Sequence, residues 1–156
     1  MENPFPQQLQ VIKKFFDTAT ACLDETDADF APTPEMFTVA VQVAHVAQTV
    51  DWFMEGGFGE GWKMDFGEAD QQLRKSVTSL AEARAWLDRA FESAVQVIGS
   101  KTMKELREPF PADSPIMADL PRMAIVDGIN EHTAHHRGAL SVYARLRGKV
   151  PAVPYS

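Results

Sequence analysis

The stretch Pro34–Glu55, PEMFTVAVQVAHVAQTVDWFME, decides the fold. Val39, Val43, Val46, Val50 and Phe53 recur at steps of three or four, along one side of a helix. Val41, Trp52 and Met54 add apolar surface on other sides, so the helix has to be buried against more than one neighbour. Thr33 reads as its N-cap, Pro34 as its first helical residue and Gly56-Gly57 as its stop. A helix of about 22 residues is about 33 Å long.

The neighbours lie on both sides in the chain. Upstream, Leu9, Ile12, Phe16, Ala19 and Leu23 form the stripe of a helix from about Gln7 to Leu23, with Pro4 and Pro6 at its start and the acidic stretch 24–31 breaking it. Downstream, Ser79-Leu80-Ala81-Glu82 has the spacing of a capping box and opens a third helix. Its stripe is Leu80, Ala83, Leu87, Phe91, Ala94 and Ile98, and Gly99 ends it. A fourth helix begins near Pro121 and runs to about Arg147, where Gly148 stops it and Pro151 and Pro154 prevent extension. Between the second and third helices, five glycines and the aromatics Phe58, Trp62 and Phe66 predict a packed connection with a short helix inside 68–75. Alternating strand patterns are nearly absent. The chain reads as all-α, a four-helix bundle in one domain spanning 1–156. The connections after helices two and three are long enough, at about 20 residues, to cross a bundle. Helices two and three can therefore run parallel.

Composition narrows the function classes. With 45% hydrophobic and 24% charged residues in 156, the chain can build a core without staples. A net charge of −7 predicts no nucleic-acid partner and no attraction to anionic membranes. The single cysteine, Cys22, excludes an internal disulfide and a CxxC site, and reads as a buried inert thiol. The N-terminal stretch lacks a basic region followed by an apolar run, and 36–54 is interrupted by Gln42, His45, Gln48 and Asp51. The expectation is no secretory signal, no membrane span and, by default, a cytoplasmic location.

The four histidines carry the chemistry. His132 and His136 are four apart, so both imidazoles fall on one helix face, close to the line of Ile125, Ile129 and Tyr143. His135 is rotated to the flank. His45 shares its side of the second helix with Thr38, Val41, Gln42, Gln48, Thr49 and Trp52, a polar strip on an otherwise apolar helix. Polar groups facing into a bundle need partners. Two readings stand: a hydrogen-bonded core cluster, or a divalent metal on three imidazoles with a fourth position open, as in catalytic zinc sites. Such a donor set also suits Ni²⁺, Co²⁺ or Fe²⁺. Thr133 occupies the Glu position of H-E-x-x-H, which disfavours a zincin-type protease, and spacing assigns no protein general base. Trp52, Phe53, Phe58, Trp62 and Phe66 are pocket-lining candidates, and Glu82, Arg84, Asp88, Arg89 and Glu92 read as a solvated face.

Two motifs resemble the DinB family of DinB/YfiT-like metalloenzymes. One is His45-Val46-Ala47 followed by Trp52-Phe53 and Gly56-Gly57-Phe58. The other is His132-Thr133-Ala134-His135-His136-Arg137-Gly138, similar to the family's H-x-x-H-H-R-G-Q signature. Ala139 stands where the family has Gln. The resemblance implies a bundle with a long crossover in up-down-down-up order, often a homodimer. It also implies a divalent metal, Zn or Ni, held by His45, His132 and His136. The activity implied, from some relatives, is thiol-dependent S-transfer or isomerisation with a low-molecular-weight thiol; the open three-histidine site also suits metal-assisted hydrolysis of a small molecule. The alternative is a non-catalytic stress or interaction module that the metal merely ties together.

Overall fold

The computed structural model describes residues 2–156. Six helices follow in order: α1 Phe5–Thr20, α2 Val39–Phe58, α3 Phe66–Ser76, α4 Leu80–Gly99, α5 Met103–Arg107 and α6 Ala124–Leu146. A 3-10 turn, Glu25–Asp27, lies between α1 and α2. Among the described residues there is no strand, only an isolated bridge between Pro109 and Pro121. The fold is the expected all-α bundle.

The four long helices form a ring in which α2 packs on α4 and α6, and α1 packs on the same two. Contacts along the helices set their directions. From α2 to α6, Gln42 meets His136 and Thr49 meets His132, so rising numbers on one pair with falling numbers on the other. That pair is antiparallel. From α2 to α4, Asp51 accepts from the Trp86 indole, and farther along Phe58 and Val97 line one cavity, so these two run parallel. From α1 to α4, Asn3 reaches Ile98, Lys13 reaches Asp88 and Thr20 reaches Arg84, an antiparallel pair. It follows that α1 and α6 are parallel, and the order is up-down-down-up. The long crossovers before α4 and α6 make the α2–α4 parallel neighbour possible.

The core is the sum of the stripes. Leu9, Ile12, Phe16 and Ala19 of α1, Val39, Val43, Val46 and Val50 of α2, Leu80, Leu87, Phe91 and Ile98 of α4, and Ile125, Ile129, Leu140 and Tyr143 of α6 are all buried. Each large apolar side chain removed from water contributes about 1.5–3 kcal/mol. Val41 and Met54, on the other sides of α2, are buried as well, which is why that helix needs two partners.

Helix ends depart from expectation in three instructive places. α2 begins at Val39, five residues after Pro34, with Thr38 as its cap; the Thr38 hydroxyl accepts from the Val41 amide at 3.2 Å. Residues 33–36 form a turn instead, and the first amides of α2 donate to Phe30 and Ala28 carbonyls, so the upstream loop supplies partners that a helix start otherwise lacks. Gly56 and Gly57 do not stop α2 but sit in its last turn. A Cβ on Gly56 would overlap the Trp62 ring, and one on Gly57 would overlap Ile125. Both glycines serve close approach. The third departure is α5, which the connection before α6 carries unannounced: Thr102 and Glu105 form a reciprocal capping box. Gly148, at φ +71°, ends α6 as expected.

Two polar groups tie the ends of the ring together. Arg84, expected on a solvated face, folds over the end of α1 and donates to the Thr20 carbonyl at 2.8 Å and the Thr20 hydroxyl at 3.2 Å. It satisfies carbonyls that the helix end leaves open. Asp27 is fully buried and accepts from Arg147 Nε at 3.0 Å and Lys149 Nζ at 2.5 Å, which anchors the end of α6 to the 3-10 turn. Cys22 is half-buried against the core instead of fully enclosed.

Candidate metal centre

The antiparallel crossing of α2 and α6 brings the middles of two helices face to face. On α2, the turn 42–49 presents Gln42, His45 and Thr49; on α6, the turn 132–136 presents His132 and His136. His45, 87 positions from His132, meets it here: their Nε2 atoms are 3.2 Å apart. One potential ligand atom from each of His45, His132 and His136 lies within 4.8 Å of the other two. Imidazole nitrogens on one tetrahedral zinc at about 2.0–2.1 Å are separated by about 3.4 Å. The cluster is therefore close to the size a divalent ion needs. His135 is exposed and packs edge-on against His136 at 4.9 Å between centroids, outside the group of three.

Hydrogen bonds behind the rings decide which nitrogen faces the centre. The Gln42 side chain, 4% exposed, places Oε1 at 2.8 Å from His136 Nδ1. An amide oxygen only accepts, so His136 carries its proton on Nδ1 and turns the Nε2 lone pair toward the cluster. Thr49 Oγ1 lies 3.4 Å from His132 Nε2. His45 Nδ1 is buried without a hydrogen-bond partner, and the nearest carboxylate oxygen, Asp70 Oδ1, stands 3.7 Å away. The Phe37 ring packs beside His45 at 5.2 Å between centroids. The Tyr143 hydroxyl donates to the Phe37 carbonyl at 3.0 Å and holds that wall in place.

All three imidazoles are neutral at neutral pH. Burial, followed by the neighbouring His132 and His45, pushes His136 down to about 3. Burial, followed by His45 and His135, pushes His132 down to about 4, and burial lowers His45. Neutral imidazoles present lone pairs, the form in which histidine binds metal. The same shift has a cost in acid. Below pH 6.5 the unfolded chain takes up protons at these positions that the folded chain does not, until the pH reaches about 4 for His132 and about 3 for His136. Lowering the pH through that window thus favours unfolding. Metal-free protein is expected to melt at progressively lower temperature from pH 6.5 to 4. A His132→Gln, His136→Gln double variant should show a shallower pH slope. Equal slopes would contradict neutral, buried imidazoles.

The donor set fits a divalent metal. Three neutral imidazoles converge, Gln42 fixes one of them from behind, and His45 keeps a buried orphan nitrogen that a closed hydrogen-bonded histidine cluster would have used. Asp70 is the residue that sequence reasoning did not find. It lies in the glycine-rich connection, 25 positions from His45, and no spacing rule points to it. Gln42 and Thr49 were legible as members of the polar strip. Ala139 is half-buried beyond the cluster.

The aromatic candidates divide. Trp52 and Phe66 pack on each other at 5.4 Å between centroids. Phe53 is buried. Phe58 and Trp62 line a cavity of about 610 Å³ at the far end of α2, with Phe110, Lys101 and Arg122. Among the described residues, no helix is long and apolar enough to cross a membrane.

The family model described as the DinB superfamily matches residues 9–140, most of the chain and every residue of the three-histidine cluster. No curated protein matches the chain.

Proposed function

We infer that this chain, which belongs to the DinB superfamily, is a metal-dependent enzyme acting on a small molecule, with its divalent ion held by His45, His132 and His136. The observation that carries the reading is the convergence of three imidazoles, with no fourth His, Cys, Asp or Glu in the same group among the described residues. A three-ligand site leaves room for a molecule from solution, as catalytic zinc sites do and structural ones do not. Zn²⁺ and Ni²⁺ both suit imidazole.

An ion on these histidines supplies a Lewis acid that lowers the pKa of a bound water or thiol. The chain's own residues supply position and exclusion. Gln42 and the α2–α6 crossing hold the imidazoles in register. Phe37, held by the Tyr143 hydroxyl, forms an apolar wall beside His45. Buried surroundings strengthen each charge interaction at the site. We assign the reaction to thiol transfer: a low-molecular-weight thiol loses its proton to solvent, its sulfur forms a bond to an electrophilic carbon, and the leaving group departs with its electron pair. Hydrolysis of an activated ester at the same position is the second reaction to assay.

The test is turnover by loaded and chelator-stripped protein, with a small thiol and a chloronitroaromatic electrophile, and with a nitrophenyl ester. The reading expects turnover that disappears on stripping and returns with metal. A loaded protein whose melting point rises with metal but which turns over none of these probes would overturn the enzymatic reading in favour of a structural ion.

A further inference from the structure

The crossover helix α3 is mostly exposed, yet one face of it is not idle. Phe66, Leu73 and Arg74 each lie three or four positions from Asp70, so they share its side of the helix. Phe66 stacks edge-on against Trp52. Leu73 is 3% exposed, inserted into the core. Arg74 lies over the Phe37 ring at 4.4 Å and donates to the Glu35 and Met36 carbonyls. Asp70, between them, stands opposite His45. The neighbours of α3 therefore include one wall of the histidine cluster, Phe37, and His45 itself, with Trp52 holding the start of the helix.

The Asp70–His45 distance is the informative one. Asp70 Oδ1 lies 3.7 Å from His45 Nδ1, a few tenths of an ångström beyond a hydrogen bond, while that nitrogen is buried and makes no hydrogen bond, Gln48 being the other polar side chain that acts on the ring. A metal-bound imidazole needs an acceptor for its second N–H, and a carboxylate is the strongest acceptor a protein has. We propose that Asp70 is the positioning residue for His45, holding its proton on Nδ1 so that Nε2 faces the ion, and that metal binding thereby tightens the already packed α3 against the site. The inference rests on the metal-site reading above. It adds that the crossover is part of the site: an ion draws electron density from His45, makes its N–H a better donor, and closes the gap to Asp70.

Asp70 has a side chain 43% exposed, so its removal leaves the core intact. Zn²⁺ affinity is measured by competition with a chromophoric chelator, and amide hydrogen exchange of residues 66–76 is followed with and without Zn²⁺. The proposal expects Asp70→Ala to bind Zn²⁺ about 10–100-fold more weakly, the range for loss of such an outer partner. Asp70→Asn, which keeps an acceptor oxygen, is expected to fall between Asp70→Ala and the unmodified protein. Glu68→Ala, exposed on the same helix, should bind as the unmodified protein does. Zn²⁺ should slow exchange in α3 of the unmodified protein and not of Asp70→Ala. If Asp70→Ala binds Zn²⁺ within twofold of the unmodified protein, or Zn²⁺ leaves α3 exchange unchanged, the proposal falls while the metal site stands. If the unmodified protein binds no Zn²⁺, both fall. An Asp70 that only braced α3 would change exchange without metal and leave affinity untouched.

Discussion

Replacing His132 with alanine is expected to weaken divalent-metal binding more than about 100-fold, beyond the 10–100-fold typical of losing an outer-shell partner. The reason is its central place. His132 Nε2 is the atom that both His45 Nε2 and Thr49 Oγ1 approach, so its removal takes one of three ligands and leaves only the His45–His136 pair, two imidazoles on different helices. The loss has a thermal signature. Metal at a thousand times its dissociation constant stabilises a protein by about 4.1 kcal/mol, and a 100-fold weaker site at the same metal concentration by only about 1.4 kcal/mol. For a chain of this length that is a fall in the metal-induced rise of the melting point from roughly 8–16 °C to roughly 3–6 °C. The metal-free variant should be no less helical and no less stable. Alanine is the better helix former, and the buried stripe of Ile125, Ile129, Leu140 and Tyr143 is untouched. Calorimetric titration and circular dichroism read both effects. A variant that keeps one tightly bound ion per chain would show that the ligands lie elsewhere.

The second large effect belongs to the fold. Phe16 is fully buried on α1, the helix that closes the ring between α4 and α6. Phe16→Ala should cost about 3–5 kcal/mol, the lost transfer energy of the ring plus the cavity it leaves. That lowers the melting point by roughly 6–20 °C. Val11→Ala, on the same helix at 40% exposure, should stay within about 0.5 kcal/mol. Because α1 contributes no ligand, Phe16→Ala protein below its melting point should bind metal as the unmodified protein does. Urea melts at constant slope measure the first effect. A cost below about 1 kcal/mol would mean that α1 is not packed as described.

Much of this architecture can be read from local pattern. The valine stripe of α2, the Ser79 cap of α4 and the Gly148 stop of α6 each follow from one residue's neighbours within a turn or two. So does the shared face of His132 and His136, because the helix alone sets it. What could not be read depends on the far side of each contact. Pro34 has good helix-start chemistry, but the carbonyls of Ala28 and Phe30 outcompete it by capping α2 at Thr38. Gly56 and Gly57 look like a stop until Trp62 and Ile125 are seen pressing on them. Arg84 reads as a surface charge until the open end of α1 lies beneath it. The meeting of His45 with His132 and His136 follows from their family-like motifs, not from spacing, since it needs the antiparallel crossing of two helices far apart in sequence. Asp70 is harder still, because a crossover helix is positioned by tertiary contacts and not by its own weak stripe.

The measurement that bears most directly on the central claim is elemental analysis, for Zn, Ni, Fe, Co and Mn, of untagged protein purified without a chelating column. The account predicts about one divalent ion per chain, or uptake of one on titration. Protein that carries none and takes up none at micromolar metal would contradict it, and would leave His45, His132 and His136 as a hydrogen-bonded cluster in the bundle core.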